Sequence, residues 1–295
     1  MKRDFVRKKI EIVTYMQRLL STLWVGSLLG PIQSLLPSSL LRLPFRLPFP
    51  MPPKTAAVPL KPFYQEAPRW EIALDEAGRG PLFGRVYAAA VVLPRTDDPA
   101  VFDYSLMRDS KKITSKKKMN ELAAYIRGHA VTYSIQYKEA DVVDRVNILQ
   151  ADMQCMHDCV RGVLDNLGVA KPGEGGLYRG SYRDVALLVD GNYFRDYTVY
   201  DDETQTMTVI PHTTIEQGDG KYASIAAASI LAKCARDAYI AELCEQYPEL
   251  KVRYALDRNM GYGSAAHLKG ILEHGITQWH RKTFARCKGE RENPL

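Results

Sequence analysis

The stretch Leu74-Asp75-Glu76-Ala77-Gly78-Arg79-Gly80-Pro81-Leu82-Phe83-Gly84 decides how this chain is read. An apolar run from Trp70 ends in two adjacent carboxylates and meets a Gly-Arg-Gly turn. A second apolar run, Val86 to Leu93, follows it. Both runs have the composition of neighbouring β-strands. Successive strand side chains point to opposite faces, so Asp75 and Glu76 serve one site only where the strand ends or kinks. Gly78 and Gly80 permit that, because glycine accepts positive φ and lets another backbone come close. An ordinary acidic turn between hairpin strands is the plain alternative, and the pair alone does not decide between them.

Two later segments tip the balance. Ala186-Leu187-Leu188-Val189-Asp190-Gly191-Asn192 again delivers a carboxylate at the end of a buried-looking strand, just before a glycine. Gly218-Asp219-Gly220-Lys221 precedes the small-residue run Ser224 to Lys233, a helix suited to lie close against a sheet. If Asp75, Glu76, Asp190 and Asp219 converge, their like charges repel and drive pKa values up. Two divalent cations would cancel that charge. Oxygen donors without paired His or Cys favour magnesium or manganese over zinc. Such ions about 4 Å apart suit in-line displacement at a phosphodiester.

The blocks DEAGRGPLFG, DSKKITSKKK (109–118), NILQA (147–151), LLVDGN, GDGKYASIAAASILAKCARD (218–237), GYGSAAH (261–267) and HRKTF (280–284) occur in this order. In that order they resemble ribonuclease HII, the type 2 ribonuclease H family, over residues 68 to 285. The resemblance implies an α/β, ribonuclease H-like fold: a mixed five-stranded sheet flanked by helices, with a helical C-terminal portion. It implies cleavage of the RNA strand of RNA–DNA hybrids, and cutting 5′ of ribonucleotides embedded in duplex DNA. Two-metal hydrolysis would leave 3′-hydroxyl and 5′-phosphate ends. By motif, Asp75, Glu76, Asp190 and Asp219 would be the catalytic metal ligands, holding Mg2+ or Mn2+. Gly78, Arg79, Gly80 and Tyr262 would read the ribose 2′-hydroxyl, the group that separates RNA from DNA. Another nuclease or recombinase on the same fold, or a hybrid-binding protein without catalysis, remains the alternative. His267 and His280 are read as structural. Phe83 stands where the family usually has a smaller residue, and is expected to crowd the turn.

The net charge of +6 is unevenly spread. Residues 1–65 hold ten Lys and Arg against Asp4 and Glu11, a balance of +8, so residues 66–295 sum to −2. Nucleic-acid binding must then rest on local patches. Lys111, Lys112 and Lys221 are the substrate-binding candidates, with Lys233, Arg281 and Lys282 as further phosphate contacts. Thr114 reads as a helix N-cap, placing Lys116, Lys117 and Lys118 in the first turn. Cations there oppose the helix dipole at up to about 1 kcal/mol each, which a nearby phosphate would explain. A solvated lysine face is the alternative.

Residues 1–65 differ in kind from residues 66–295, the expected catalytic domain. They hold nine of the 17 prolines, and Leu35 to Pro62 reads as a linker. The basic leader before it resembles a mitochondrial presequence, with a membrane anchor or a disordered tail as alternatives. Periodic apolar residues from Leu149 to Leu167 predict a long helix covering the sheet. Thr198 to Ile210 reads as a hairpin, and Lys171 to Gly180 as a flexible insertion. The five cysteines are scattered, so neither a disulfide framework nor a zinc site is expected. The chain ends soon after HRKTF without a segment resembling a sliding-clamp tail. A self-sufficient monomer with no obligate protein partner is expected.

Overall fold

A computed structural model describes residues 59–172 and 178–295; of residues 170–172, 178 and 179 it describes the backbone alone. Its centre is a five-stranded sheet in the order β3-β2-β1-β6-β9. β1 (Trp70–Ala77) pairs antiparallel with β2 (Val86–Val92), which pairs antiparallel with β3 (Thr132–Lys138). On its other edge β1 runs parallel to β6 (Val185–Asp190), and β6 runs parallel to β9 (His212–Ile215). The mixed sheet expected from the motif pattern is therefore present. A strand in the middle of such a sheet is covered on both faces, and β2 accordingly reads VYAAAVV with every residue buried.

Each face is covered by one long helix, after α1 (Lys116–His129) and α2 (Ala140–Val146) in chain order. α3 (Ile148–Leu167) starts at Asn147, whose side chain accepts from the Gln150 N–H, and ends at Gly168 in the left-handed region. Its apolar stripe, Met153, Met156, Val160, Val163 and Leu164, packs on Ile72, Leu74, Leu187 and Val189. Full burial of side chains of this size contributes about 1.5–3 kcal/mol each. α4 (Ala223–Gln246) covers the opposite face, where Ala223, Ala226, Ala227 and Ala228 lie against Ala73 and Ala89. Small side chains on both partners let helix and sheet approach closely. Beyond α4, α5 (Glu249–Tyr254), α6 (Leu256–Asn259) and α7 (Ala265–His274) form the helical C-terminal portion.

Several local expectations change. Ser115, not Thr114, caps α1, its hydroxyl accepting from the Lys118 N–H, because Thr114 lies one residue too early to reach the first turn. The segment read as a flexible insertion, Lys171 to Gly180, carries at its two ends the short strands β4 (Ala170–Pro172) and β5 (Tyr178–Gly180), which pair antiparallel. Thr198–Asp201 and Thr206–Val209 form the expected hairpin, β7 and β8. The folded body also begins ahead of residue 66. Lys61 N–H donates to the Lys221 carbonyl, and the Lys61 carbonyl accepts from Ala223 N–H at the start of α4. Phe63 meets Tyr104 edge-on at 5.6 Å, beneath the Arg95 guanidinium. The leader and the linker up to residue 58 lie outside the described residues. Among the described residues no helix is long and apolar enough to cross a membrane.

Candidate active site

Asp75, Glu76 and Asp190 come together at the C-terminal end of the parallel pair β1/β6. Each offers a carboxylate oxygen, all within 4.8 Å of one another. The strand does not end at the acid pair, as its sequence suggests; it continues to Ala77 before Gly78 turns away at φ +97°. The register places Leu74 opposite Val189, so Asp190 follows directly beside Asp75. Neighbouring residues Ala73 and Leu74 face the α4 and α3 sides respectively, so Asp75 and Glu76 leave the strand on opposite faces. The β1/β6 pairing stops at Leu74, so the two acids, still paired with β2, lie beside Asp190 where β6 leaves β1.

The site is electrostatically strained. Burial pushes the Asp75 carboxyl well above the usual range, and Glu76 and Asp190 add to the rise, against the pull of the Ser229 hydroxyl and the Glu76 N–H. The Asp190 carboxyl is also raised, first by burial, then by Asp219 and Glu76, despite the hydrogen bond from Gly218 N–H at 2.6 Å. A Cβ at Gly218 would meet the Ile225 terminal methyl at 2.4 Å and Asp190 Oδ1 at 3.1 Å, so a larger residue there would crowd the bond. Such a trio of oxygen donors, two of them held above their ordinary pKa by burial and by neighbouring carboxylates, fits a hard divalent cation.

Asp219 stands beside the trio but outside the group of mutual reach. It lies in a 3-10 turn, Gly218–Gly220, buried, and accepts from the Lys111 ammonium at 3.0 Å. Burial works against the Lys111 charge, but Asp219, Asp75 and Asp190 outweigh it and raise its pKa. Lys111 is held in turn by its own segment: Asp109 caps a short 3-10 turn, and Ser110 bonds to Ser229 of α4 at 2.9 Å. Lys111, Lys112 and Lys221 line a cleft of about 400 Å³ together with Asp109, Gln217, Asp219 and Gly220.

The Gly-Arg-Gly turn is braced from below. Arg281, with 0% exposure, donates to the carbonyls of Gly78 (2.6 Å), Pro81 (2.9 Å), Arg79 (3.0 Å) and Gly84 (3.0 Å). It is thus no phosphate contact, as its sequence neighbourhood suggests; the loop's carbonyls absorb its donors inside the core. Lys233 and Lys282 pair with Asp237 and Glu292. Arg236, also buried, donates to Met260 O and Phe83 O, and a Cβ at Gly78 would collide with it. Phe83 does not crowd the turn. It is buried against Trp279 and His280 while its backbone continues the brace.

Tyr262 lies against Gly80, half exposed, with its ring edge where a Cβ of Gly80 would touch at 3.6 Å. Two histidines fix it. Thr277 N–H donates to His280 Nδ1, so His280 Nε2–H donates to His267 Nε2 at 3.1 Å, and His267 Nδ1–H donates to the Tyr262 carbonyl at 2.9 Å. Burial lowers the His280 pKa to about 3, with His267 adding to the drop. Both rings are neutral and structural.

One carboxylate was missed. Asp152 on α3, fully buried, lies 3.5 Å from Arg79 Nε. The signal was present: at helical spacing it shares a stripe with Ile148, Cys155 and Cys159, where a charge is out of place.

A model of the ribonuclease HII family matches residues 72–288. The chain belongs to that family. It is 41% identical over 214 residues to the ribonuclease HII of Bacteroides thetaiotaomicron, covering 72% of this chain and 88% of the relative. Among solved structures, ribonuclease H2 from Pyrococcus horikoshii shares the fold with a TM-score of 0.52 at 16% identity, covering 74% of this chain and 95% of that one. Bst-RNase HIII, solved in complex with Mn2+, gives 0.50 at 17% identity, covering 76% and 70%. As a family member the protein is a ribonuclease that cleaves RNA in RNA–DNA hybrids and at embedded ribonucleotides. The curated relative is bacterial, which lends the mitochondrial expectation no support.

Proposed function

We propose that this ribonuclease HII activity is a metal-assisted hydrolysis centred on Asp75, Glu76 and Asp190, with Asp219 as the fourth acid of the set. The observation that carries the reading is the convergence of three carboxylates within 4.8 Å at the sheet end, beside a glycine turn braced by Arg281. Magnesium or manganese held there supplies the positive charge that eases attack by water and departure of the 3′-oxygen. The acids' own task is to hold those ions, and the strain of their mutual repulsion is relieved when they do. In this structure the Asp219 charge is matched by the Lys111 ammonium. Water adds to phosphorus as the P–O3′ bond breaks; the departing oxygen takes a proton, leaving 3′-hydroxyl and 5′-phosphate ends.

Substrate choice is assigned to the turn and its neighbour. Arg79 and Gly80 expose backbone that a 2′-hydroxyl can bond, the buried Gly78 sets the turn that presents them, and the Tyr262 ring beside Gly80 offers a face to the sugar. Lys111, Lys112 and Lys221, around their cleft, hold phosphates. His267 and His280 take no part in proton transfer, being buried and neutral. The basic, proline-rich segment ahead of the described body is read as a separate extension.

The test is a DNA duplex carrying one ribonucleotide, incubated with Mg2+, Mn2+ or chelator. Cutting on the 5′ side of the ribonucleotide is expected with either metal, with a loss of at least about 10³-fold in Asp75→Asn. Cleavage that persists in chelator, or an Asp75→Asn enzyme within tenfold of the parent, would sink the reading.

A further inference from the structure

Asp152 is the one described side chain in the body with both oxygens buried and neither hydrogen-bonded. An ionised carboxylate in such a place is costly unless a cation compensates it. Serine or alanine at this position would pack on the sheet without that cost. Among the described residues the cation within ion-pair distance is Arg79, the central residue of the Gly-Arg-Gly turn, at 3.5 Å. The same guanidinium lies 3.4 Å from Glu76 on its other side. Arg79 is 48% exposed and Asp152 not at all, so the buried partner is the fixed one. Met153, Cys155 and Met156, buried against the sheet, hold that stretch of α3 in place.

We propose that Asp152 is a positioning residue for ribose recognition: from the rigid α3 it anchors the Arg79 side chain and thereby sets the Gly78–Gly80 backbone against the sugar. Arg281 grips the turn by its carbonyls from one direction, and Asp152 grips it by its side chain from another. The backbone of the turn is thus held on one side and its side chain on another. Burial, then Glu76, holds the Asp152 carboxyl well above its usual range, and the Arg79 and Arg281 charges oppose that rise. Arg79 is shared, its Nη1 donating to Glu76 at 3.4 Å while its Nε faces Asp152 at 3.5 Å.

The proposal rests on the assignment of the turn as the ribose reader, and the test separates the two. Steady-state cleavage in Mg2+ is measured for the parent, Asp152→Asn, Arg79→Ala and the double variant. Substrates are a duplex with a single ribonucleotide and a long RNA–DNA hybrid. Asp152→Asn keeps the volume and removes the charge; Asp152→Ser serves the same purpose should the amide variant fold poorly. Asp152→Asn is expected to raise KM for the single-ribonucleotide duplex roughly tenfold while kcat stays within about threefold, the signature of a misplaced contact rather than lost chemistry. In the Arg79→Ala background the same change is expected to add less than about twofold, because the partner is gone. Equal effects of Asp152→Asn in both backgrounds, or a change in melting temperature with unaltered KM, would overturn the anchor. An Arg79→Ala enzyme with unchanged KM and kcat on both substrates would instead overturn the ribose-reading assignment itself.

Discussion

Replacing Arg281 with methionine isolates the brace beneath the substrate turn. Methionine fills the aliphatic part of that space, stops short of the guanidinium and donates nothing. Four carbonyls, those of Gly78, Arg79, Pro81 and Gly84, lose donors that now stand 2.6–3.0 Å away. Each carbonyl left dry costs about 1–3 kcal/mol, although the exposed side of the turn recovers part of this from water. Removing the cation also relieves a strained charge, since burial, then Arg236, lowers the Arg281 pKa to about 9. A net loss of about 3–5 kcal/mol is therefore expected, as for other buried charged groups whose partners are left behind. In a body of this size that corresponds to a melting temperature lower by roughly 6–20 °C. The turn should also drift, raising KM for a single-ribonucleotide duplex about tenfold. Mn2+ affinity should stay within about twofold, because Arg281 bonds none of the three clustered acids. Calorimetry, steady-state cleavage and Mn2+ titration read these separately. A phosphate-binding arginine would behave differently: melting unchanged, binding weaker, and a shallower salt dependence. Arg281→Met with melting within about 2 °C of the parent and KM unchanged would refute the brace.

Two further outcomes follow from the titrating groups. Asp75 and Asp190 have raised carboxyl pKa values, so the folded apoprotein holds protons that a cation must displace; their contribution to stability is present at low pH and lost as pH rises through the raised values. The melting-temperature gain from saturating Mn2+ should therefore grow as pH rises, and a gain that is flat or falls with pH would contradict the cluster. His280 acts in the opposite sense: its folded pKa is depressed to about 3 from 6.5, so stability is full above 6.5 and falls with pH below it. Between pH 6.5 and 5 this amounts to on the order of 2 kcal/mol. Comparing the pH dependence of melting in the parent and in His280→Gln should show the parent's slope reduced in the variant; identical slopes would remove the neutral-histidine assignment.

Much of this molecule was legible along the chain. The acid pair before glycines, the second carboxylate-glycine strand end and the small-residue helix each announce themselves locally. Strand alternation, glycine conformation and helical periodicity are properties of neighbouring residues, so sequence exposes them. The α3 span and the β7/β8 hairpin follow for the same reason. The cap of α1 moved by one residue because Thr114 and Ser115 carry equivalent hydroxyls and only backbone geometry chooses between them.

The sequence by itself determined the family and the sheet-and-helix layers, and it pointed to the three carboxylates that cluster at the end of β1 and β6. Tertiary structure alone decided what surrounds them. Arg281 lies 203 residues from Gly78, and nothing near it in the chain signals that its donors meet backbone carbonyls rather than phosphate. Asp219 faces Lys111, 108 residues away, and Asp152 becomes an anchor only because α3 packs beneath the turn. The reason is physical. A charge's role depends on whether it is dehydrated and on what sits within a few ångströms of it, and both are set by the packing of segments remote in sequence.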